Sequence, residues 1–256
     1  MSLTISIQEH PLMLARRFNQ AAPSFDRYAV FQQQLGSRLI ERLSFLEINP
    51  SLLLDLGSGT GFHTAALSKR YPKATAVQCD FSEGMLQVAP KYFPRLCSNA
   101  TTLPLPDNSI DFVFANCLLP WISEPQLLFR EVKRILRSGG LFLFSSVGPD
   151  TLMELRTVLQ QLNMAEHIPA FMDLHEAGDL LVQAGFHHPV MDTEKLMFTY
   201  RTPMGLLRDL WKTGAYKTQL PLNKGLINQI NQAYLTFVTD KRYPATLECL
   251  YGHANA

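Results

Sequence analysis

Cysteine is scarce and unpatterned in this chain. Its 256 residues hold four, Cys79, Cys97, Cys117 and Cys249, with no C-x-x-C pair. A disulfide framework is therefore not what organises the fold. Three of the thiols sit in apolar runs and read as buried free thiols, and a reducing, cytoplasmic setting is the expectation. An excess of one charge is lacking too: 23 Lys and Arg stand against 22 Asp and Glu, a net charge of +1. No global footprint for a nucleic acid follows from that balance. The seven histidines form no H-E-x-x-H, so no metal is expected. No apolar run reaches the length of a membrane span. Arg16 and Arg17 interrupt the N-terminal stretch before it resembles a secretory core. Repeats, low-complexity tracts and long charge runs are absent. A hydrophobic share of 46% remains, enough for a sizeable core and too high for disorder.

What is present is concentrated at Leu53-Leu54-Asp55-Leu56-Gly57-Ser58-Gly59-Thr60-Gly61. Ser51 to Leu56 reads as a buried strand carrying an acid near its end, and Phe62 to Tyr71 as a helix. Glycine belongs where the backbone turns sharply or must touch a ligand. The helix start beyond adds free N–H groups and a positive dipole end. The spacing excludes two common nucleotide sites. A G-x-G-x-x-G frame from Gly57 needs glycine at 62, which is Phe62; from Gly59 it needs one at 64, which is Thr64. No Lys-Ser or Lys-Thr pair follows, so this is no P-loop.

Around that loop the chain alternates. Candidate strands are Ser51–Leu56, Ala74–Cys79, Phe93–Ser98, Ile110–Ala115 and Gly140–Val147, with helices between. Such alternation predicts an α/β fold with a doubly wound, mostly parallel sheet, whose ligands sit beyond the carboxyl ends of the strands. Residues 9 to 47 read as two helices separated at Pro23, with Phe25, Tyr28, Phe31, Leu35, Leu39 and Leu43 at helical spacing. Residues 150 to 185 are helical, Val190–Tyr200 is a long strand, Pro203–Gly214 and Pro221–Thr239 are helices, and Ala245–His253 is a final strand. The expected organisation is one domain: an N-terminal helical extension to residue 48, a core over 49–200, a helical insertion over 201–243 and a closing strand over 244–256.

Asp80 ends the second candidate strand, 25 residues after Asp55. An acid there suits a ribose diol; a helix cap is its other reading, and Ser82 is the better cap. Phe81 and Met85 suit an adenine face or ordinary core packing. Asn116 closes the fourth strand, with Trp121 soon after, either lining a pocket or simply packed. Arg130, Lys133, Arg134 and Arg137 share a helix face, read as solvated or as a dock for an acidic partner.

The string Asp55-Leu56-Gly57-Ser58-Gly59-Thr60-Gly61, with Asp80-Phe81-Ser82-Glu83-Gly84-Met85-Leu86, resembles the first two motifs of the Rossmann-like class I methyltransferases that use S-adenosylmethionine (SAM). The resemblance implies a SAM site made by Asp55, Gly57, Ser58, Gly59, Gly61, Asp80, Phe81, Met85, Asn99, Ala100 and Asn116. Members commonly carry Asp-Ala where this chain has Asn99-Ala100; an amide oxygen at Asn99 would still accept from the adenine amino group.

The flanks are more specific. Phe18-Asn19-Gln20-Ala21-Ala22-Pro23-Ser24-Phe25-Asp26 with Gln32, then Met172-Asp173-Leu174-His175-Glu176-Ala177-Gly178-Asp179, Ala184-Gly185-Phe186 and Pro189-Val190-Met191-Asp192 resemble the malonyl-acyl-carrier-protein O-methyltransferases of biotin synthesis, the BioC family. Leu207-Arg208-Asp209-Leu210 with Gly214, then Pro244 to Glu248 and Tyr251-Gly252-His253, extend the likeness along nearly the whole chain. Phe25 replaces the family's tyrosine, and Asn223-Lys224 stand where arginines are common. The resemblance implies methyl transfer from SAM to the free carboxylate of malonyl-acyl carrier protein or malonyl-coenzyme A, with no general base. It implies an acidic carrier protein as partner and no membrane or nucleic acid. Arg17, Arg201 and Arg208 are candidates to hold the carboxylate, and Trp121 and His175 to position the substrate; His175 could equally pair locally with Asp179. A small free carboxylic acid, or a protein acceptor as in assembly-factor relatives, stay open as alternatives.

Overall fold

The computed structural model describes residues 11–164, 168–215 and 222–256. The N-terminal helices come first: α1 (Pro11–Ala21), α2 (Phe25–Tyr28) and α3 (Val30–Arg42). A 3-10 turn at Ala22–Ser24 and non-helical backbone at Ala29 cut the expected two helices into three. The alternating core follows: β1 (Leu52–Leu56), α4 (Phe62–Arg70), β2 (Thr75–Asp80), α5 (Glu83–Val88), β3 (Arg95–Cys97), β4 (Ile110–Asn116), α6 (Pro125–Ile135) and β5 (Leu136–Val147). Next come α7 (Met153–Gln161), α8 (Leu174–Gln183), β6 (His187–Tyr200), α9 (Pro203–Lys212), α10 (Lys224–Tyr234) and β7 (Tyr243–Asn255).

The seven strands form one sheet in the order β3-β2-β1-β4-β5-β7-β6. The first five are mutually parallel, and β7 runs antiparallel between β5 and β6. The central strands are apolar on both faces because helices cover both. Leu54, Leu56, Val113, Phe142 and Phe144 pack against α6 and α8 on one side. Leu53, Phe112, Phe114, Leu141 and Leu143 meet Leu35 and Leu39 of α3 and Leu67 of α4 on the other. A third cluster joins Leu155 and Val158 of α7, Leu206, Leu207 and Leu210 of α9, and Ile230 and Tyr234 of α10. The helical segment between β6 and β7 thus packs on α7. Residues 216–221, including the start of the expected Pro221–Thr239 helix, lie outside the described residues.

Several expectations change. β3 spans Arg95–Cys97 rather than 93–98, since Pro94 has no N–H for the ladder and serves only as acceptor for Gln78. β5 begins at Leu136, four residues before Gly140, because Leu136 pairs with Ile110 ahead of a bulge. Cys97 is exposed, whereas Cys79 and Cys249 are buried. Two members of the basic row, Arg134 and Arg137, are paired with acids of the core. Arg134 binds Asp107 and Glu131 and the carbonyls of Leu103 and Leu105, and Arg137, already in β5, pairs with Asp111 at 2.5 Å.

Candidate active site

The loop after β1 is shaped by backbone that only glycine adopts freely. Gly57, Gly59 and Gly61 have φ of 74°, 55° and 77°. The N–H groups of Gly57 and Ser58 donate to the Cys79 carbonyl of neighbouring β2, at 2.8 and 3.0 Å. That of Gly59 donates to Asp80 Oδ2 at 2.8 Å. The loop is thereby bound to the end of β2, and the acid there is fixed by it. Asp80 Oδ1 accepts from the Ser82 N–H at 2.8 Å, and Ser82 caps α5 by accepting from the Met85 N–H. Asp80 is therefore not the cap of that helix.

These elements open onto a cavity of about 510 Å³ beyond the carboxyl ends of β1, β2, β4 and β5, within the range of small-ligand sites. Asp55, Gly57, Ser58, Gly59, Asp80, Phe81, Met85, Asn99, Ala100, Asn116, Trp121 and Arg17 all line it. Gly61 does not. A Cβ there would stand 1.9 Å from Gln78 Nε2 and 2.9 Å from Pro90. Its glycine lets α4 close on β2 and contributes no wall. His175, Arg201 and Arg208 also lie outside the lining. His175 and Arg201 are exposed, and Arg208 turns away to Asp209 and the Tyr28 ring. Met85 is shared: it faces the cavity and also packs on Ala21 and Ala22 of the N-terminal helices.

Burial raises the two acids. Asp55 is pushed up to about 7 by desolvation, reinforced by Asp80 and opposed by the hydrogen bond it accepts from Thr64 Oγ1. Asp80 is raised by burial against the backbone N–H groups of Ser82, Gly59 and Phe81. Two carboxylates in one low-dielectric cavity favour a cationic guest. The Ser58 hydroxyl is buried with no hydrogen-bond partner among the described residues. Backbone exposed by glycine, paired acids and an unsatisfied hydroxyl together fit SAM, whose sulfonium and ammonium carry the positive charge.

Asn99 needs a correction. Its Oδ1 already accepts from the Thr101 N–H and Oγ1–H, both at 3.0 Å. Both lone pairs are engaged, so the atom expected to receive the adenine amino group is committed to a local turn, and the amide NH₂ remains.

The N-terminal helices close the cavity, a contribution that periodicity did not announce. Asp26 accepts from Thr60 Oγ1 at 2.5 Å, the Gln32 carbonyl accepts from Asn116 Nδ2 at 3.0 Å, and His63 Nε2 lies 3.4 Å from the Gln33 carbonyl. Asn19 Oδ1 accepts from Ser82 Oγ and the Gly84 N–H, both at 2.8 Å. Phe18 meets Trp121 edge-on at 5.2 Å, and the Arg17 guanidinium lies 5.7 Å from the Trp121 ring centroid. His63 was missed by sequence reasoning. It lines the cavity, and burial lowers it to about 4, so it is neutral at physiological pH. Gly36 leaves room for its ring. Asp26 was visible only as part of the F-x-x-A-A-x-x-F-D segment, and Gln32 only as the residue named beyond it.

Comparison with known proteins supplies the lineage. Residues 54–144 match the family model described as "Methyltransferase domain". The malonyl-[acyl-carrier protein] O-methyltransferase of Methylovorus sp. is 38% identical over 93% of this chain and 86% of that protein. The Gallionella capsiferriformans enzyme of the same name is 37% identical over 94% of this chain and 89% of its own. The chain belongs to the malonyl-acyl-carrier-protein O-methyltransferase family. Solved structures extend the fold more distantly. The YcgJ protein of Bacillus subtilis aligns with a TM-score of 0.59 at 19% identity, over 87% of this chain and 97% of that one. A SAM-dependent methyltransferase from Archaeoglobus fulgidus aligns at 0.55 and 16% identity, over 88% and 94%. In this member of the O-methyltransferase family, then, the Rossmann-like sheet and its glycine loop form one part of the cavity. The helices flanking that core form the remainder.

Among the described residues no cluster of three His, Cys, Asp or Glu side chains could hold a metal ion, and no helix is long and apolar enough to cross a membrane.

Proposed function

We propose that this chain transfers the methyl group of SAM to the free carboxylate of a malonyl thioester, carried on acyl carrier protein or coenzyme A, as its family name describes. The observation that carries the reading is one cavity lined both by two buried acids and by Arg17 against Trp121. SAM, when bound, supplies an electrophilic methyl on a sulfonium. The chain does the rest. Asp80 would receive the ribose hydroxyls, Asp55 would face the cationic end, and the backbone of Gly57 to Gly59 would allow close approach. Phe81, Met85 and Ala100 pack the base. Arg17 presents a planar cation suited to a carboxylate, held in place by the Trp121 ring.

A carboxylate is already ionised at neutral pH, so no residue need remove a proton. His63, neutral and buried, is not required as a base. The protein's task is alignment for in-line displacement, worth up to about 7–11 kcal/mol, together with exclusion of water by the N-terminal helices. The segment over 201–243 acts as part of the lid: Gly214 approaches Phe18 and the Arg17 carbonyl, and Ala215 lines the cavity. Esterification removes the charge from a dicarboxyl chain, which then extends as an ordinary acyl chain, the logic of a role in biotin synthesis.

The test is mass spectrometry of malonyl-acyl carrier protein incubated with the protein and SAM. One added methyl group, absent with Asp80→Ala, is expected. No gain of mass despite calorimetric SAM binding would leave the cofactor site standing and overturn the acceptor.

A further inference from the structure

The three helices around the cavity mouth carry a charge imbalance that the whole chain does not. α1, α2 and α9 contain Arg16, Arg17, Arg27, Arg208 and Lys212 against only Asp26 and Asp209. Both acids are spoken for. Asp26 points inward to Thr60 Oγ1, and Asp209 accepts from Thr213 through its carbonyl while its carboxylate lies between Tyr200 and Arg208. In a chain of net charge +1, positive charge is thus gathered on one rim.

One ring on these helices carries two guanidinium groups. Arg27 lies 5.6 Å and Arg208 5.5 Å from the centroid of Tyr28. They come from α2 and α9, distant in sequence and packed together. The Arg208 side chain is 59% exposed, and its contact with Asp209, at 3.4 Å, is long. Arg27 is exposed as well. A ring that holds two cations reduces the rotamer freedom each must lose on binding an anion. The location is at the mouth: Phe25 and Asp26, immediately before Arg27, line the cavity, as does Ala215 just beyond α9. On α1, which carries Arg16 and Arg17, Leu12 and Met13 are 73% and 54% exposed. Apolar residues next to arginine are the composition of a protein interface rather than of an ordinary solvated face.

The geometry points to the Arg27–Tyr28–Arg208 cluster as the docking point for an acidic protein surface, that of the carrier which delivers the thioester. This rests on the proposed reaction and deepens it: the same cavity is loaded through a rim that recognises the carrier, not only the acyl group. Arg208 then acts outside the cavity, on the partner, and not on the malonyl carboxylate. Local basic charge also speeds encounter and makes it salt-dependent.

The experiment is calorimetry with the full chain loaded with S-adenosylhomocysteine, titrated in parallel with malonyl-acyl carrier protein and with malonyl-coenzyme A. In the Arg27→Ala/Arg208→Ala double variant, carrier affinity is expected to fall at least about tenfold and its salt dependence to flatten. Malonyl-coenzyme A affinity should stay within twofold, and unchanged S-adenosylhomocysteine affinity confirms the fold. Tyr28→Leu, which keeps both charges but removes their support, should give an intermediate loss. Unchanged carrier affinity overturns the proposal. An equal loss for both thioesters also overturns it, because the cluster would then be reading a phosphate of the shared arm. If the unaltered protein binds S-adenosylhomocysteine but neither thioester, the proposed acceptor itself fails, a result distinct from either of these.

Discussion

The two walls of the cavity are built on opposite principles. The wall we propose for the cofactor, from Asp55 to Ala100, is mostly main chain: the left-handed Gly57 and Gly59, N–H groups turned onto Cys79 and Asp80, and strand ends set by register. The facing wall is mostly side chain. Arg17, Phe18, Asp26 and Trp121 come from separate elements, and Asn19, Gln32 and Gln33 fasten their helices to the core across more than 60 residues in some pairs. A backbone-made wall tolerates little change in conformation, because each φ is committed. A side-chain wall is held by a few hydrogen bonds and can loosen without unfolding the sheet. The first suits an invariant cofactor, the second a substrate that must enter and leave.

The sharpest break of that contrast is Gly61→Ala. The added Cβ collides with Gln78 and Pro90 at a φ that disfavours side chains. A loss of about 3 kcal/mol in urea unfolding is expected, from overpacking and left-handed strain together. Gly59→Ala meets only Phe25, at 4.0 Å, and should cost about 1 kcal/mol of stability while weakening SAM binding. Equal destabilisation by the two would erase the distinction between packing and lining glycines.

Next in size, Asp80→Ala should lower SAM affinity about 100-fold, the scale of two hydrogen bonds to a charged acceptor, measured by calorimetry. Retention of affinity within threefold would move the ribose elsewhere.

The third effect is on pH. Asp55 is raised to about 7 in the folded chain from 3.8, and the guest is a cation that prefers the ionised form. SAM affinity should therefore climb about tenfold from pH 6 to 8, at up to tenfold per unit below the folded value. Asp55→Asn should flatten the profile. His63, lowered to about 4, stays neutral across this window and does not contribute. Stability of the ligand-free chain runs the other way. The folded form holds this proton where the unfolded form releases it, so the contribution of Asp55 is present below 3.8 and lost as pH rises through about 7. A ligand-free chain whose stability rises over that interval, and a SAM profile without slope, would remove Asp55 from the account.

Smallest is Asn19→Ala, which removes two hydrogen bonds joining α1 to the start of α5. The substrate wall should loosen by about 1–2 kcal/mol, seen as faster proteolysis near α1 and a several-fold higher KM for the carrier-bound substrate. SAM affinity should change less than threefold. A comparable loss of SAM binding would mean that the two walls are one cooperative unit.

Much of the cofactor wall was legible because its signals are local. Asp55 and the glycines sit in one run, and Asp80 closes the next strand by simple alternation. Even there, two residues misled. Gly61 looked like lining and is packing, since only the approach of Gln78 from another strand reveals the collision. Asn99 looked like an available acceptor, but Thr101 takes its oxygen. The substrate wall was far less legible. Arg17 and Trp121 were named with the exposed His175, Arg201 and Arg208, and nothing in a helical period says which arginine turns inward.

The sequence by itself determined the alternating α/β core, the glycine turn and the family, because strand apolarity, φ requirements and motif order are properties of neighbouring residues. Only the tertiary structure decided that β7 enters between β5 and β6, that α1 to α3 fold over the strand ends, and that Arg27 and Arg208 meet on one tyrosine. Those are contacts between segments far apart in the chain, selected by which buried faces fit together, and no local pattern encodes them.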